Sequence, residues 1–387
     1  MSYRSIDEIQ TILSQEVFKS TQSPRKAAGR ALGTLVELIT YYMIRQWQLS
    51  SYVQIELRIP EFGNSDITHN VEFGLHPRVY CQTQEFENLK LPINPQKIQK
   101  ALKDNAFFAD SNFKWKTAPL LKSIPGTNSL LQRNRCVLGT NSELQQLVIA
   151  DLLNYESTKF QGTIEISMLK NHPFAIFECK RVGVEEGAKK GPTTIEKAKQ
   201  GAYVAQHVSA LQKIRRADGT IFGALAKPDG SFDLKKLYDD ALKNLIYDAP
   251  AEALQNFVLT IGIASNHGNW FTSDNPNKEL LVLKQSYDWL LFLTDQGLCK
   301  FIEDLILPKS TNNVVGFAFR ESYAASRTVN QFTKVNILRN AHLVLEKYFQ
   351  DNIDSIEKEW FNIISPQLAT IEKLKEQLNC LVAKDWK

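Results

Sequence analysis

Glu178-Cys179-Lys180 is the only E-x-K triplet in the chain, and it closes the apolar run Phe174-Ala175-Ile176-Phe177. Side chains two apart on a strand project to one face, so Glu178 and Lys180 are expected to stand together while Cys179 turns into packing. Charges at the end of a buried strand are costly and usually have a purpose. The chemistry open to such a pair is hydrolysis of a phosphodiester. The carboxylate can hold a hard divalent ion such as Mg²⁺, which neutralises developing charge and lowers the pKa of a bound water, while the ammonium orients that water. A bare E-x-K arises by chance about once or twice in a chain of this length, and an ordinary strand-end ion pair is the alternative reading.

The surrounding elements decide how the pair is presented. Residues 163–168 alternate as a strand, Leu169-Lys170-Asn171-His172-Pro173 reads as a turn, and residues 174–180 follow, so the spacing predicts a hairpin. Glu165, between Ile164 and Ile166, is the nearest acid on the upstream strand; it is either a metal ligand or a solvent-facing residue. The run 174–177 is apolar on both faces, as in a central strand covered on both sides. After a Gly/Lys-rich loop at 182–192 comes a helix capped by Thr193 or Thr194, with Ala198, Ala202, Ala205, Val208 and Leu211 along one side. The loop fails the P-loop pattern, although Lys189 and Lys190 would suit phosphate contacts. Residues 257–263 then form a buried strand, and strand, helical crossover, strand implies parallel pairing.

Further out, Ser23 as cap and Pro24 at the first position start a helix carrying Leu32, Leu35, Val36, Ile39 and Met43. Residues 52–59 alternate as a strand. A helix is expected from 141 to 152, with Glu143 in its first turn and Leu144, Leu147, Val148 and Leu152 on its apolar face. Beyond Trp270 the pattern is helical, apart from a strand at 314–319. The tail places Leu368, Ile371, Leu374, Leu378 and Leu381 at helical spacing, to dock on its own domain or to pair with a second subunit. Asp233-Leu234-Lys235 and Asp385-Trp386-Lys387 are set aside, the first as a turn opening a helix and the second as the terminus. The fold class expected is α/β, a mixed central sheet flanked by helices with additional N- and C-terminal helical elements. It divides into an N-terminal region at 1–135 suited to recognition, a core at 136–325 and a C-terminal helical region at 326–387 suited to dimerisation.

Composition narrows the field. The five cysteines and six histidines are dispersed, with no CxxC and no H-x-x-x-H, so neither a disulfide framework nor a zinc hydrolase has a starting point. A formal charge of +4 leans mildly toward polyanions. No apolar run reaches a membrane span and the first residues lack the zones of a signal peptide, so a cytoplasmic protein is expected, nucleoid-associated when bound to DNA.

Residues 139–263, about a third of the chain, resemble the PD-(D/E)xK nuclease superfamily, type II restriction endonucleases above all. The resemblance implies a restriction endonuclease-like core and Mg²⁺-dependent cleavage of double-stranded DNA by a homodimer. Glu178 is then similar to the second metal-binding carboxylate and Lys180 to the catalytic lysine. Gln200-Gly201-Ala202-Tyr203 is similar to the glutamine-plus-tyrosine signature that follows E-x-K in several members, and Glu143 to a metal-binding acid of the preceding helix. The departure lies at the first acid, where the family has Asp in a Pro-Asp pair and this chain has Phe160-Gln161-Gly162-Thr163. Glu165 takes that role, with Asp151, Glu156 and Asp66 in reserve. Gln200 has an exposed polar position as its plain alternative, and Glu143 a first-turn acid answering the helix dipole. The expected function is a type II restriction endonuclease. The alternatives are a DNA repair or recombination nuclease, and a catalytically inactive DNA-binding protein on a nuclease-like fold.

Overall fold

In the computed structural model, residues 5–90, 93–102, 113–116, 130–132, 136–156, 158–183, 192–227, 230–266, 278–307, 313–323, 332–334 and 336–386 are described. Lys189, Lys190 and Lys387 lie outside them.

Pro24 occupies the first helical position of α1 (Pro24–Gln46), although the Ser23 side chain makes no capping bond. Its buried residues, among them Leu32, Leu35, Val36, Ile39 and Met43, face a six-stranded mixed sheet. The strands lie in the order β1 (Val53–Ile55), β2 (Phe73–Leu75), β3 (Ala175–Val182), β4 (Leu259–Asn266), β5 (Trp289–Leu293) and β6 (Phe361–Ser365). Pairing is parallel from β3 to β5 and antiparallel at every other step. The parallel steps need crossovers, which contain α2 (Pro192–His207) and α3 (Lys278–Ser286). The sheet is covered on both sides. Ala175, Phe177 and Cys179 belong to the core shared with α1, whereas Ile176 packs with Val204 and Val208, and Val182 with Ala205, Leu280 and Leu283. The alternation of β3 thus turns Glu178 and Lys180 toward the α2 and α3 side. The sheet takes strands from all three sequence regions, 1–135, 136–325 and 326–387.

The expected hairpin does not form. Residues Gln161–Lys170 pair instead with Arg78–Phe86 and Gln146–Glu156 in a second, antiparallel five-stranded sheet. Two chain segments cross together from one sheet to the other. Leu169 lies opposite Arg78, Ala175 lies opposite Leu75, and between them the segments pass through His172-Pro173 and His76-Pro77. Phe174 N–H donates to Leu75 O and Lys170 N–H to Pro77 O, clamping the crossing.

Other expectations are corrected as well. The helix predicted at 141–152 is a strand pair, Cys136–Asn141 and Gln146–Glu156. Asn141 Oδ1 accepts from the N–H groups of Glu143 and Leu144, which closes a turn in place of a first helical turn. The strand predicted at 314–319 is a helix, Asn313–Ser322, because Val315, Ala318 and Phe319 are the buried positions while Val314 and Phe317 are exposed. The strand at 52–59 breaks at Glu56, whose φ is +54°. Asp233 and Lys235 lie on a strand, Phe232–Leu237, in a peripheral three-stranded sheet. β5 and β6, within the region read as helical, are strands of the central sheet.

Among the other helices are α4 (Asp295–Leu305), α5 (Arg339–Ser355) and α6 (Ile371–Val382). The apolar stripe of α6 is used within its own chain, with Leu374, Leu378 and Leu381 in the core and Trp289 Nε1 donating to Gln377 Oε1 at 2.8 Å. Among the described residues no helix is long and apolar enough to cross a membrane.

Candidate metal-binding and hydrolytic site

The ladder between β2 and β3 ends at Phe73 opposite Phe177. Beyond that pair the β2 side of β3 is open, and side chains take over from strand pairing. Cys179 N–H donates to Glu72 Oε2 at 2.5 Å, and Glu72 N–H donates to Glu178 Oε2 at 2.9 Å. Each acid therefore gives one oxygen to the backbone of the other's strand. The second oxygen of each faces an ammonium: Glu178 Oε1 lies 3.2 Å from Lys180 Nζ, and Glu72 Oε1 lies 4.0 Å from Lys334 Nζ. Lys334 also lies 3.0 Å from Glu37 Oε2 on α1 and 3.4 Å from Glu56 Oε1. Cys179 turns away as its alternation requires, with its Sγ 3.3 Å from Thr40 Oγ1 on α1.

Electrostatics follow from burial. Glu178 is 4% exposed. Burial first, and then the charge of Glu178, push the Glu72 carboxyl up to about 8. Burial opposes the charge on Lys180, but Glu178 and Glu72 outweigh it and hold its ammonium above the ordinary range. The same contest at Lys334, between burial and the charges of Glu72, Glu37 and Glu56, again ends in a raised value. Two carboxylates pressed together in a buried place are relieved by a cation or by a proton.

Gly201 on α2 explains how Lys180 fits. A Cβ on Gly201 would stand 2.9 Å from Lys180 Cε and 3.3 Å from the Tyr287 hydroxyl, which donates to Gly201 O at 3.2 Å. The missing side chain is the channel in which the lysine lies. Outward from Lys180 an open groove of about 450 Å³ is lined by Lys26, Arg30 and Glu37 of α1, Arg181, and Gln200 of α2. Arg181 braces its wall, donating to Gly29 O at 2.6 Å and to Asn266 O at 3.3 Å.

Of the residues chosen from sequence, Glu178 and Lys180 meet, and Gln200 lines the same groove from an exposed position. Glu165 does not join them: it lies in the second sheet and accepts from Ser51 Oγ at 3.0 Å. Glu143 sits exposed in the turn closed by Asn141. Among the reserves, Asp151 stands opposite Glu165 in the second sheet, Glu156 pairs with Lys159, and Asp66 is exposed. Tyr203 points elsewhere, donating to Glu61 Oε2 at 2.6 Å. The acids that reach the site beside Glu178, namely Glu72, Glu37 and Glu56, were missed. Glu72 and Glu37 had a signal: each interrupts an apolar run, Val71-Glu72-Phe73 and Leu35-Val36-Glu37-Leu38-Ile39, where a charge is expensive.

The donor set fits a hard divalent cation. Its oxygens are all carboxylate, and Mg²⁺ is commonly held by one or two carboxylates with waters completing the shell. Among the described residues no three acidic, histidine or cysteine side chains already converge on one point; two ammoniums stand among these carboxylates instead. No family model, curated protein or solved structure compared with this chain matches it.

Proposed function

We propose that the chain is a Mg²⁺-dependent endonuclease of the type II restriction class, acting on double-stranded DNA. The observation that carries this reading is the meeting of Glu72 and Glu178 at the open edge of β3, with Lys180 at hydrogen-bond distance from Glu178. The first acid is Glu72 in place of Glu165. Bound Mg²⁺ supplies charge neutralisation at the scissile phosphate and a water of lowered pKa.

The chain's own residues do the rest. Glu72 and Glu178 offer the oxygen ligands, held in place by the two backbone N–H groups. Lys180, lying where Gly201 lacks a side chain, would orient a water or meet phosphate charge. The exposed Lys26 and Arg30, along the groove that leads to Lys180, suit contacts to a nucleic-acid backbone. Gln200 beside them is available for hydrogen bonding to the substrate or its water. A homodimer would set one such site against each strand. The apolar stripe of α6 is already committed to its own core, so another surface must serve that purpose.

The test is incubation of purified protein with supercoiled plasmid and Mg²⁺, beside Lys180→Ala. Cleavage by the first and not the second is expected, and equal cleavage by both sinks the assignment. Discrete fragments mark a restriction enzyme, and progressive shortening from ends marks a repair or recombination nuclease. A gel shift with no cleavage under any divalent ion would mark an inactive DNA-binding protein.

A further inference from the structure

We infer that Lys334 is a resident counter-cation filling the second cation position of the carboxylate cluster, so that the site takes one divalent ion and not two. The inference rests on the metal-dependent reading above and concerns a residue which that reading does not use.

Its ground is how the four acids are divided. Glu178 turns its free oxygen to Lys180, a neighbour on the same strand. Glu72 turns its own toward Lys334, which comes from a distant segment, residues 332–334, and is only 6% exposed. Bringing an ammonium so far out of water is costly unless carboxylates compensate it. Here three do, with Glu37, Glu56 and Glu72 all within 3.0 to 4.0 Å of Nζ. Glu37 lies at hydrogen-bond distance at 3.0 Å, while Glu56 at 3.4 Å and Glu72 at 4.0 Å compensate the charge from farther out.

In a two-metal site the ions stand about 3.5–4 Å apart and share a bridging ligand. With one ion between Glu72 and Glu178, a second would have to bind Glu72 together with Glu37 and Glu56, and that is the set Lys334 holds.

Mn²⁺ binding to the full chain tests this, by calorimetric stoichiometry and by the electron paramagnetic resonance of the bound ion. The wild type is expected to bind one Mn²⁺ with no spin coupling, Lys334→Met two Mn²⁺ with coupling, and Glu72→Gln none. Lys334→Arg, which keeps the charge, should stay at one. Two ions in the wild type, or one in a folded Lys334→Met, overturns the inference and leaves the metal reading standing. If Lys334→Met does not fold, the wild-type stoichiometry still decides. Absence of bound Mn²⁺ in both wild type and Lys334→Met removes the metal reading, and the inference falls with it.

Discussion

Glu72 and Glu178 hold each other through backbone N–H groups, so an amide at either position keeps an acceptor but loses the charge a divalent ion needs. Glu72→Gln and Glu178→Gln are each expected to lower the plasmid cleavage rate by about 10²- to 10³-fold, the scale of losing one electrostatic element of an active site. Glu165→Gln should cleave like the wild type, because Glu165 lies in the other sheet, accepting from Ser51 and facing Cys81. The reverse pattern would return the first-acid role to Glu165. Gly201→Ala probes the lysine without touching its charge. The added Cβ meets the flexible end of Lys180, so the ammonium should move while the fold holds. Cleavage should drop by up to about 10²-fold, as for a misplaced group, with the melting temperature little changed; full activity would show that the position of Lys180 does not matter. Glu178 and Lys180 were legible from sequence because they sit two apart on one strand. Glu72 showed only as a charge inside an apolar run, and its partnership with Glu178 was not legible, since it arrives from 106 residues upstream.

At the level of elements, the misleading feature was adjacency. Residues 161–170 and β3 are neighbours in sequence, and neighbouring strands commonly pair, yet they belong to different sheets. Their patterns differed in a physically meaningful way. Thr163-Ile164-Glu165-Ile166 alternates, as suits a sheet with one covered face, whereas Phe174-Ala175-Ile176-Phe177 is apolar throughout, as suits a sheet covered on both. The parallel step from β3 to β4 was legible because its crossover helix fixed it. The C-terminal elements show a further tie that no local pattern could announce. Trp47, just past α1, donates from Nε1 to Glu357 Oε1 at 2.5 Å, and Lys375 of α6 reaches both oxygens of Glu357 at 3.1 and 3.2 Å. Glu357→Ala strips partners from a buried indole N–H and from an ammonium, at a cost of about 2 kcal/mol. A lower urea midpoint with an unchanged slope is expected, and no shift would mean that α1 and α6 are held by packing alone.

For the whole molecule, acidity should loosen the fold through histidines remote from the site. His342 on α5, whose Nδ1 lies 2.8 Å from the Tyr42 hydroxyl of α1, is pushed down to about 3 by burial and by the charges of Arg45 and Arg339. His172, at the crossing between the sheets, is pushed down to about 4 by burial. Both shifts favour the neutral ring in the folded state. Above the unfolded value of about 6.5 neither form is protonated and the histidines contribute no pH dependence. As pH falls through that value the unfolded chain takes up protons that the native chain refuses. Stability is then lost, at up to about 1.4 kcal/mol per pH unit for each histidine, until the folded values are reached. Glu72, raised to about 8, opposes them, because the folded chain takes up its proton before the unfolded chain does. Between about pH 6.5 and pH 5, before most carboxylates titrate, the two histidines outweigh it and the urea midpoint should fall with decreasing pH. His342→Gln keeps a polar group against Tyr42 and cannot titrate, so most of that fall should disappear, and His172→Gln should flatten it likewise. If the slope in that window is the same in the wild type and in both variants, the loss comes from other groups and burial of these two rings is not what makes the fold acid-sensitive.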